Sequence, residues 1–194
     1  ILKIEYILFS SVTAFLLGLA ISCLHSLKLR SLLAGISLIP YFIPSSVFAY
    51  AVLLWLSPSQ LPVLDLPVNP LLDDRLFPLL LVFVETFKNI GIPLLLVLAA
   101  INYKQVRETG NELADTTSFR TSHVLPAARV IAAYAIFQFS ALLTTNFELL
   151  HNLLTPLTYA SGETLDTYGY KKVFLQGNYS LGGALWLFKF VIQL

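Results

Sequence analysis

The chain has 194 residues, of which 57% are apolar and only 12% are charged. A soluble domain carries about a quarter charged residues, so this composition excludes an ordinary soluble domain and favours a polytopic α-helical membrane protein. The formal net charge of +1 argues against nucleic-acid binding, and a single cysteine, Cys23, excludes an internal disulfide.

Apolar residues are concentrated in five blocks. Each of the first four is long enough for the roughly 20 residues that cross a 30 Å hydrocarbon core, and the fifth is shorter. The blocks are Tyr6–Leu27, Ser31–Leu56, Leu76–Ile101, Leu125–Leu150 and Tyr179–Leu194. We therefore predict an all-α, multi-pass transmembrane helical bundle that forms one domain over residues 1–194, with about five spans.

Positive residues are concentrated in two of the connections between the blocks. They are Lys28, Arg30, Lys104, Arg107 and Arg120. Because cytoplasmic connections are enriched in Lys and Arg, we predict that both connections are cytoplasmic. The connections at 57–75 and 151–178 then face outward, and Lys171 and Lys172 in the second are an exception to the rule.

Proline and glycine interrupt two blocks. Pro40 and Pro44 lie in the second block, and Gly91 and Pro93 lie in the third. Proline removes a backbone donor and kinks a helix. Two interpretations stay open: a kinked helix whose neighbours satisfy the freed groups, or a bend that shapes a pathway or hinge.

Glu85 and Lys88 are charged residues in the middle of the third block. An ionised side chain at that depth is costly, and residues three apart on a helix are neighbours. We therefore predict a structural ion pair between Glu85 and Lys88. The alternative is that the two side chains line a polar path.

Several polar and aromatic residues inside the blocks are candidates for a substrate pathway. Rings, amides and hydroxyls suit a sugar, whose faces stack on rings and whose hydroxyls both donate and accept hydrogen bonds. The same residue types also anchor helices at the interface and join helices to each other, and that alternative stays open. The candidates are Asn89, Gln138, Thr145, Asn146, Glu148 and Trp186.

The sequence shows no catalytic or metal-binding pattern. His25, His123 and His151 are scattered, without the spacing of metal ligands, and no Walker motif is present. Glu163 and Asp166 lie in the polar connection at 151–178, where we expect them to be solvated. We predict that the chain is not an enzyme and holds no cofactor of its own.

The most polar run reads "RETGNELADTTSFRTSHVLP" at 107–126. It resembles the "EAA" coupling loop of ABC importer permeases, the binding-protein-dependent transport inner-membrane component family. The matching positions are Glu112, Leu113 and Ala114 at the Glu-Ala-Ala, Asp115 and Thr116 at the Asp-Gly, and His123, Leu125 and Pro126 at the close. The glycine is absent and the stretch is shorter than the family pattern. This resemblance places the coupling loop at about 102–124.

Segments on either side strengthen the resemblance. "FKNIGIPLLLVLAAI" is similar to the family segment that precedes the coupling loop, and "ISLIPYFIP" is similar to its proline-containing second block. The C-terminal run "LTPLTYASGETLDTYGYKKVFLQGNYSLGGALWLFKFVIQL" resembles the signature of the branch that serves complex-saccharide importers, including alginate and pectin-fragment systems. Its matching positions include Asp166, Tyr170, Tyr179 and Lys189.

The resemblance implies a type I ABC importer permease in a bacterial plasma (inner) membrane, with a further span before residue 1. It implies a second permease subunit as a heterodimer partner, two ATPase subunits, an extracytoplasmic solute-binding protein and a saccharide substrate. ATP and Mg would be bound in the partner ATPase, whose closure would pull on the coupling loop. The chain would form half of the translocation pathway.

A second class of function stays open, a stand-alone secondary transporter with an intramembrane ionisable site at Glu85 or Glu148. Such carriers usually contain internal repeats, and the sequence shows none. Co-purification with an ATPase subunit separates the two classes.

Overall fold

The computed structural model describes residues 2–24, 26–57, 69–109 and 118–193. Within these ranges the chain is helical, without a strand, and this confirms the predicted all-α fold. Most of the predicted outer connection at 57–75 and the centre of the coupling loop lie outside the described residues.

Ten α-helices and two π-helical turns follow one another in the described ranges. They are α1 (Leu2–Ser22), α2 (Leu27–Phe42), α3 (Ser45–Leu56), α4 (Phe77–Asn89), α5 (Gly91–Thr109), a π turn (Arg120–Val124), α6 (Leu125–Ser140), α7 (Phe147–Leu153), α8 (Tyr159–Gly162), α9 (Leu165–Tyr170), a second π turn (Lys171–Leu175) and α10 (Tyr179–Gln193).

The second and third apolar blocks are broken helices, at the places where the sequence has proline and glycine. Helix α2 contains Pro40 and ends before Pro44, and the chain between α4 and α5 bends by 51°. Pro93 lies in the first turn of α5, where a missing N–H is tolerated. A Cβ at Gly91 would lie 2.6 Å from the Ser37 carbonyl oxygen, so glycine permits the close approach of α5 to α2.

Among the helices of the described residues, α1 is the one that is long and apolar enough by itself to cross a bilayer. In the described part of the chain, two further spans result if α2 with α3, and α4 with α5, each count as one broken span. The fourth block is also divided, into α6 and α7.

The predicted outer connection at 151–178 is more regular than expected. Helices α8 and α9 and the second π turn occupy much of it. Helix α9 begins with a capping box, in which the Thr164 side chain accepts from the Thr167 N–H and the Thr167 hydroxyl accepts from the Thr164 N–H. These local hydrogen bonds satisfy backbone donors that a helix start would otherwise leave unpaired.

The described residues form two compact units. The first comprises residues within 1–6, 43–85 and 140–194. Its apolar core is built from α3, α4, α7 and the turn before α4. The core members are Ala49, Leu71, Phe77, Leu81, Val84, Leu149, Leu150 and Leu153. A Cβ at Gly162 would lie 2.4 Å from the Phe77 ring, so the start of α4 packs directly against the α8 backbone.

The second unit comprises residues 7–42 and 86–139. Helix α5 is central to it and contributes to two buried clusters. One cluster joins Ala34 with Leu94 and Leu98, and the other joins Val97 and Ile101 with Ala127. Buried apolar packing of this kind stabilises helix association by close van der Waals contact.

Apolar side chains also cover the outside of the helices. On α10, Trp186 is 60% exposed and Phe190 is 65% exposed, and Leu187, Phe188 and Val191 are more than half exposed. Exposed apolar surface on this scale is typical of a protein whose surroundings are lipid or other membrane subunits.

Candidate functional site

A cavity of about 790 Å³ lies within the first unit, beside α10. Its size is within the range of small-molecule binding sites. The walls come from α9, the second π turn, the segment that leads into α7 and one face of α10. The lining residues are Thr144, Thr145, Phe147, Asp166, Gly169, Tyr170, Val173, Phe174, Tyr179, Gly182, Gly183, Trp186, Lys189, Phe190 and Gln193.

One face of α10 forms a wall of the cavity. Its cavity residues follow the i, i+3, i+4, i+7 pattern from Tyr179 to Gln193, and therefore lie on one face. A Cβ at Gly182 would lie 2.0 Å from Val173, so α10 packs closely against the second π turn. A Cβ at Gly183 would meet no atom within 4 Å, so glycine there leaves the cavity open.

A buried ion pair lies in the cavity wall. Lys189 Nζ on α10 is 2.5 Å from Asp166 Oδ1 on α9, and each side chain is 9% exposed. The second carboxylate oxygen, Oδ2, accepts from the Thr145 N–H at 3.3 Å and from its hydroxyl at 3.1 Å. Charged groups taken out of water need partners of this kind. Together with Thr145, the pair links α10, α9 and the segment before α7, and this part of the wall has no net charge.

Aromatic rings form a contiguous group beside this ion pair. Tyr170 contacts Phe174, Phe147 and His151, with ring centroids 5.1, 5.2 and 5.1 Å apart. Trp186 contributes a further ring, with Lys189 Nζ 5.1 Å from its centroid. The cavity therefore combines exposed ring faces with hydroxyl and amide groups. Gln193 Nε2, for example, donates to Thr144 Oγ1 at 2.8 Å.

Thr145 and Trp186 are the predicted pathway residues that line this cavity. Asn146 lies next to it and has a structural role, because its side chain caps α7 at the Leu149 N–H and donates to Ser45 Oγ. Glu148 is exposed in the first turn of α7.

Asn89 and Gln138 belong to the second unit, where Gln138 Nε2 lies 2.6 Å from the Tyr134 hydroxyl. The structure therefore brings two of the six candidates together in one cavity. The assignment of all six to a pathway stays a prediction.

Asp166 differs from the sequence-based expectation. We expected it to be solvated in a polar connection, yet it is buried and paired with Lys189. The physical reason is that α9 folds onto α10 and removes the carboxylate from water. Glu163, which shared that expectation, accepts from Lys171 Nζ at 2.7 Å and keeps a third of its side chain exposed. The signal available in the sequence was the lysine inside the fifth block, which required an acidic partner.

Glu85 and Lys88 also differ from the predicted pairing. Glu85 forms an ion pair with Lys3 on α1, with Nζ and Oε1 3.7 Å apart. Lys88 instead donates to the Tyr41 carbonyl oxygen at 3.4 Å and lies 5.8 Å from the Tyr41 ring centroid. Helical spacing makes Glu85 and Lys88 neighbours, but the surrounding helices offer each side chain another partner.

The predicted coupling segment is described only in part. Glu112, Leu113, Ala114, Asp115 and Thr116 lie outside the described residues. Before them, α5 continues beyond the predicted end of the third block, to Thr109. After them, His123 lies in the first π turn and Leu125 and Pro126 begin α6.

Hydrogen bonds join the end of α5 to this π turn. His123 Nε2 lies 3.0 Å from Gln105 Nε2, and its other ring nitrogen lies 2.8 Å from Ser122 Oγ. The imidazole stacks on Phe119 with centroids 4.7 Å apart. Lys104 Nζ donates to the Thr121 carbonyl. Two side chains of α5 therefore hold the π turn in place.

The π turn also accommodates Pro126. The Leu125 N–H donates to the Arg120 carbonyl, one residue further back than in an α-helix. Proline has no N–H and its ring crowds the carbonyl four residues earlier. A wider turn just before Pro126 relieves that crowding, so the chain runs from Phe119 into α6 without a break.

Solved structures that are similar to this chain include two ABC transporters. No family model and no curated protein matches the chain. One similar structure is the crystal structure of a bacterial ABC transporter involved in the import of the acidic polysaccharide alginate. It is 24% identical with a TM-score of 0.78, and the match covers 99% of this chain and 74% of that chain.

The other is the crystal structure of a bacterial alginate ABC transporter in complex with an alginate pentasaccharide-bound periplasmic protein. It is 25% identical with a TM-score of 0.82, and the match covers 99% of this chain and 72% of that chain. The predicted resemblance to saccharide-type ABC importer permeases is confirmed. The chain is a helical membrane protein, and the similarity to these transporter structures covers almost all of it.

Proposed function

We propose that this chain is a permease subunit of an ATP-driven importer of poly- or oligosaccharides. It forms half of the translocation pathway as a multi-pass protein of a bacterial plasma (inner) membrane. The similar transporters import alginate, and this chain shares their fold over nearly its whole length. The subunit supplies contacts and motion, and bond chemistry belongs to its ATPase partners.

One observation carries the proposal. The C-terminal segment, which has the most specific resemblance to the saccharide branch, also builds the cavity. Asp166, Tyr170, Tyr179 and Lys189 match that signature and line the cavity wall. Because residues of the saccharide-branch signature line the cavity, we infer that they bind the substrate and do more than pack helices together.

The chemistry of the cavity suits a saccharide. Trp186 is 60% exposed and Tyr179 is 73% exposed, so both can present ring faces to a sugar. Thr144, Thr145 and Gln193 supply hydroxyl and amide groups that can donate to and accept from sugar hydroxyls. We therefore place the cavity on the saccharide path.

Coupling to ATP hydrolysis is proposed for the segment 107–126, which would contact a cytoplasmic ATPase. The hydrogen bonds from Gln105 to His123 and from Lys104 to Thr121 support this role. A displacement of the segment would be transmitted to both helices, because those bonds tie it to α5 and its last residues, Leu125 and Pro126, begin α6. Rigid helices with two arrangements can carry such a coupling free energy.

The proposed partners are a second permease subunit, two ATPase subunits that bind ATP and Mg, and an extracytoplasmic solute-binding protein. A similar alginate transporter was crystallised with a saccharide-bound periplasmic protein, which supports the last of these. Co-purification of the tagged chain with an ATPase subunit tests the assembly. A chain that transports saccharide without an ATPase would instead support a secondary transporter.

The substitution Glu112→Arg tests coupling. We expect an inserted, assembled transporter that hydrolyses ATP but no longer imports saccharide, because the reversed charge disturbs the ATPase contact. The matched control is Asp74→Arg, a charge reversal at an exposed residue in the predicted outer connection. Uptake of labelled saccharide and ATPase activity are measured in the same vesicles. Normal uptake by the Glu112→Arg transporter would contradict the coupling role.

A further inference from the structure

A second groove, of about 560 Å³, lies within the second unit between α2 and α5. Its two ends differ in chemistry. Arg30, Ser31 and Asn102 line one end, and Leu38 and Leu95 line the other. The groove is open in the middle because Gly35 has no side chain, and a Cβ there would meet no atom within 4 Å.

The polar end carries positive charge, and Arg30 forms no ion pair with the described residues. Arg30 Nε donates to the Leu24 carbonyl at 2.6 Å, which fixes the guanidinium and leaves its two terminal nitrogens without a hydrogen bond to the described residues. Lys28, two residues earlier in α2, is exposed. The sequence contains no Asp or Glu between Glu5 and Asp65, or between Glu85 and Glu108, so the parts of α2 and α5 that line the groove contain no acidic residue.

The dimensions of the groove match one leaflet of a bilayer. From Arg30 to Leu38 the helix rises about 12 Å, at about 1.5 Å per residue. One leaflet of a 30 Å hydrocarbon core is about 15 Å deep. An acyl chain therefore fits along the apolar part while its headgroup stays beside the guanidinium.

We propose that this groove is a binding site for an anionic glycerophospholipid. The phosphodiester accepts from the Arg30 terminal nitrogens and from the Asn102 amide, and one acyl chain lies over Gly35 toward Leu38. Charge complementarity selects the anionic headgroup, since guanidinium binds phosphate oxygens in a bidentate geometry. Basic pockets between transmembrane helices bind acidic lipids on the same principle.

The test is lipid retention by the purified transporter assembly, measured by native mass spectrometry. Delipidated protein is offered phosphatidylglycerol and phosphatidylcholine of identical acyl composition, in equal amounts. We expect phosphatidylglycerol to be retained preferentially. The substitution Arg30→Gln should lower the ratio of retained phosphatidylglycerol to phosphatidylcholine about fivefold, the effect of one basic residue near a membrane surface.

Two further variants separate the effect of Arg30 and the groove from general effects of charge. Arg129→Gln removes the same charge from an exposed position on α6 and should leave the ratio unchanged. Gly35→Leu adds an apolar side chain to the groove at a position where a Cβ meets no atom within 4 Å, and it should reduce retention of both lipids. No preference in the wild type, an unchanged ratio in Arg30→Gln, or an equal loss in Arg129→Gln would overturn the proposal. Unchanged retention in Gly35→Leu would show that something other than an acyl chain fills the groove.

Discussion

Two polar regions of this apolar chain use their polar groups in opposite ways. Around the cavity, charge is buried, paired and neutral, and Lys189, Asp166 and Thr145 come from three separate segments. At the α5–α6 junction, the polar groups come from the end of α5 and one π turn, and many are exposed. The first arrangement fixes a wall, and the second leaves a surface that another protein can contact.

The two regions differ in the free energy that is lost when a polar group loses its partner. A buried charge that loses its partner suffers the full cost of desolvation, whereas an exposed polar group can exchange its partner for water. We therefore expect substitutions in the cavity wall to act on stability and transport. Substitutions at the junction should act mainly on coupling.

The largest effect is expected from Lys189→Met, which leaves Asp166 buried without a cation. Breaking a buried ion pair costs about 3–5 kcal/mol, so the thermal unfolding midpoint of the purified assembly should fall clearly. The double variant Lys189→Met with Asp166→Leu should recover most of this loss, because apolar replacements of similar volume remove both charges.

Lys171→Met is the matched control. Its partner is Glu163, and the two side chains are 24% and 32% exposed. We expect a loss of no more than about 1 kcal/mol, as for other partly exposed pairs. Equal shifts in the unfolding midpoint for Lys171→Met and Lys189→Met would contradict the claim that the buried pair contributes more to stability than the exposed pair.

An intermediate effect is expected from Gly183→Trp, which fills the cavity. The Cβ has no neighbour within 4 Å, so α10 should keep its place while the indole occupies the space proposed for the saccharide. Loss of one stacked contact worth about 1.4 kcal/mol corresponds to a tenfold loss of affinity, which should appear in the concentration dependence of uptake. Gly183→Ala adds one methyl group and should transport normally. Normal uptake by Gly183→Trp would place the saccharide path elsewhere.

The smallest effect is expected at the junction. A double-mutant cycle with Gln105→Ala and His123→Ala isolates the hydrogen bond between the two side chains. We expect a coupling energy of about 1 kcal/mol in the free energy of unfolding. Substrate-stimulated ATPase activity should fall in either single variant. A coupling energy near zero would show that α5 does not hold the π turn through this bond.

Much of the fold was predictable because it follows from local composition. Long apolar blocks predicted helices, and the proline and glycine positions predicted the breaks after Phe42 and Asn89. Trp186 and Thr145, which were selected because few polar or aromatic groups occur inside apolar blocks, line one cavity, and their part in a pathway stays a prediction. The helical character of residues 151–178 was missed, because short capped helices such as α9 carry little periodic signal.

The sequence by itself determined the class of this protein, a bundle of membrane helices with a polar segment between two of them, since hydrophobicity and helix-breaking residues act locally. Only the tertiary structure decided which charges meet. Asp166 finds Lys189 across 23 residues, and Glu85 finds Lys3 on another helix. A buried ion pair depends on which helices pack together, and spacing along one helix reports only the neighbours within it.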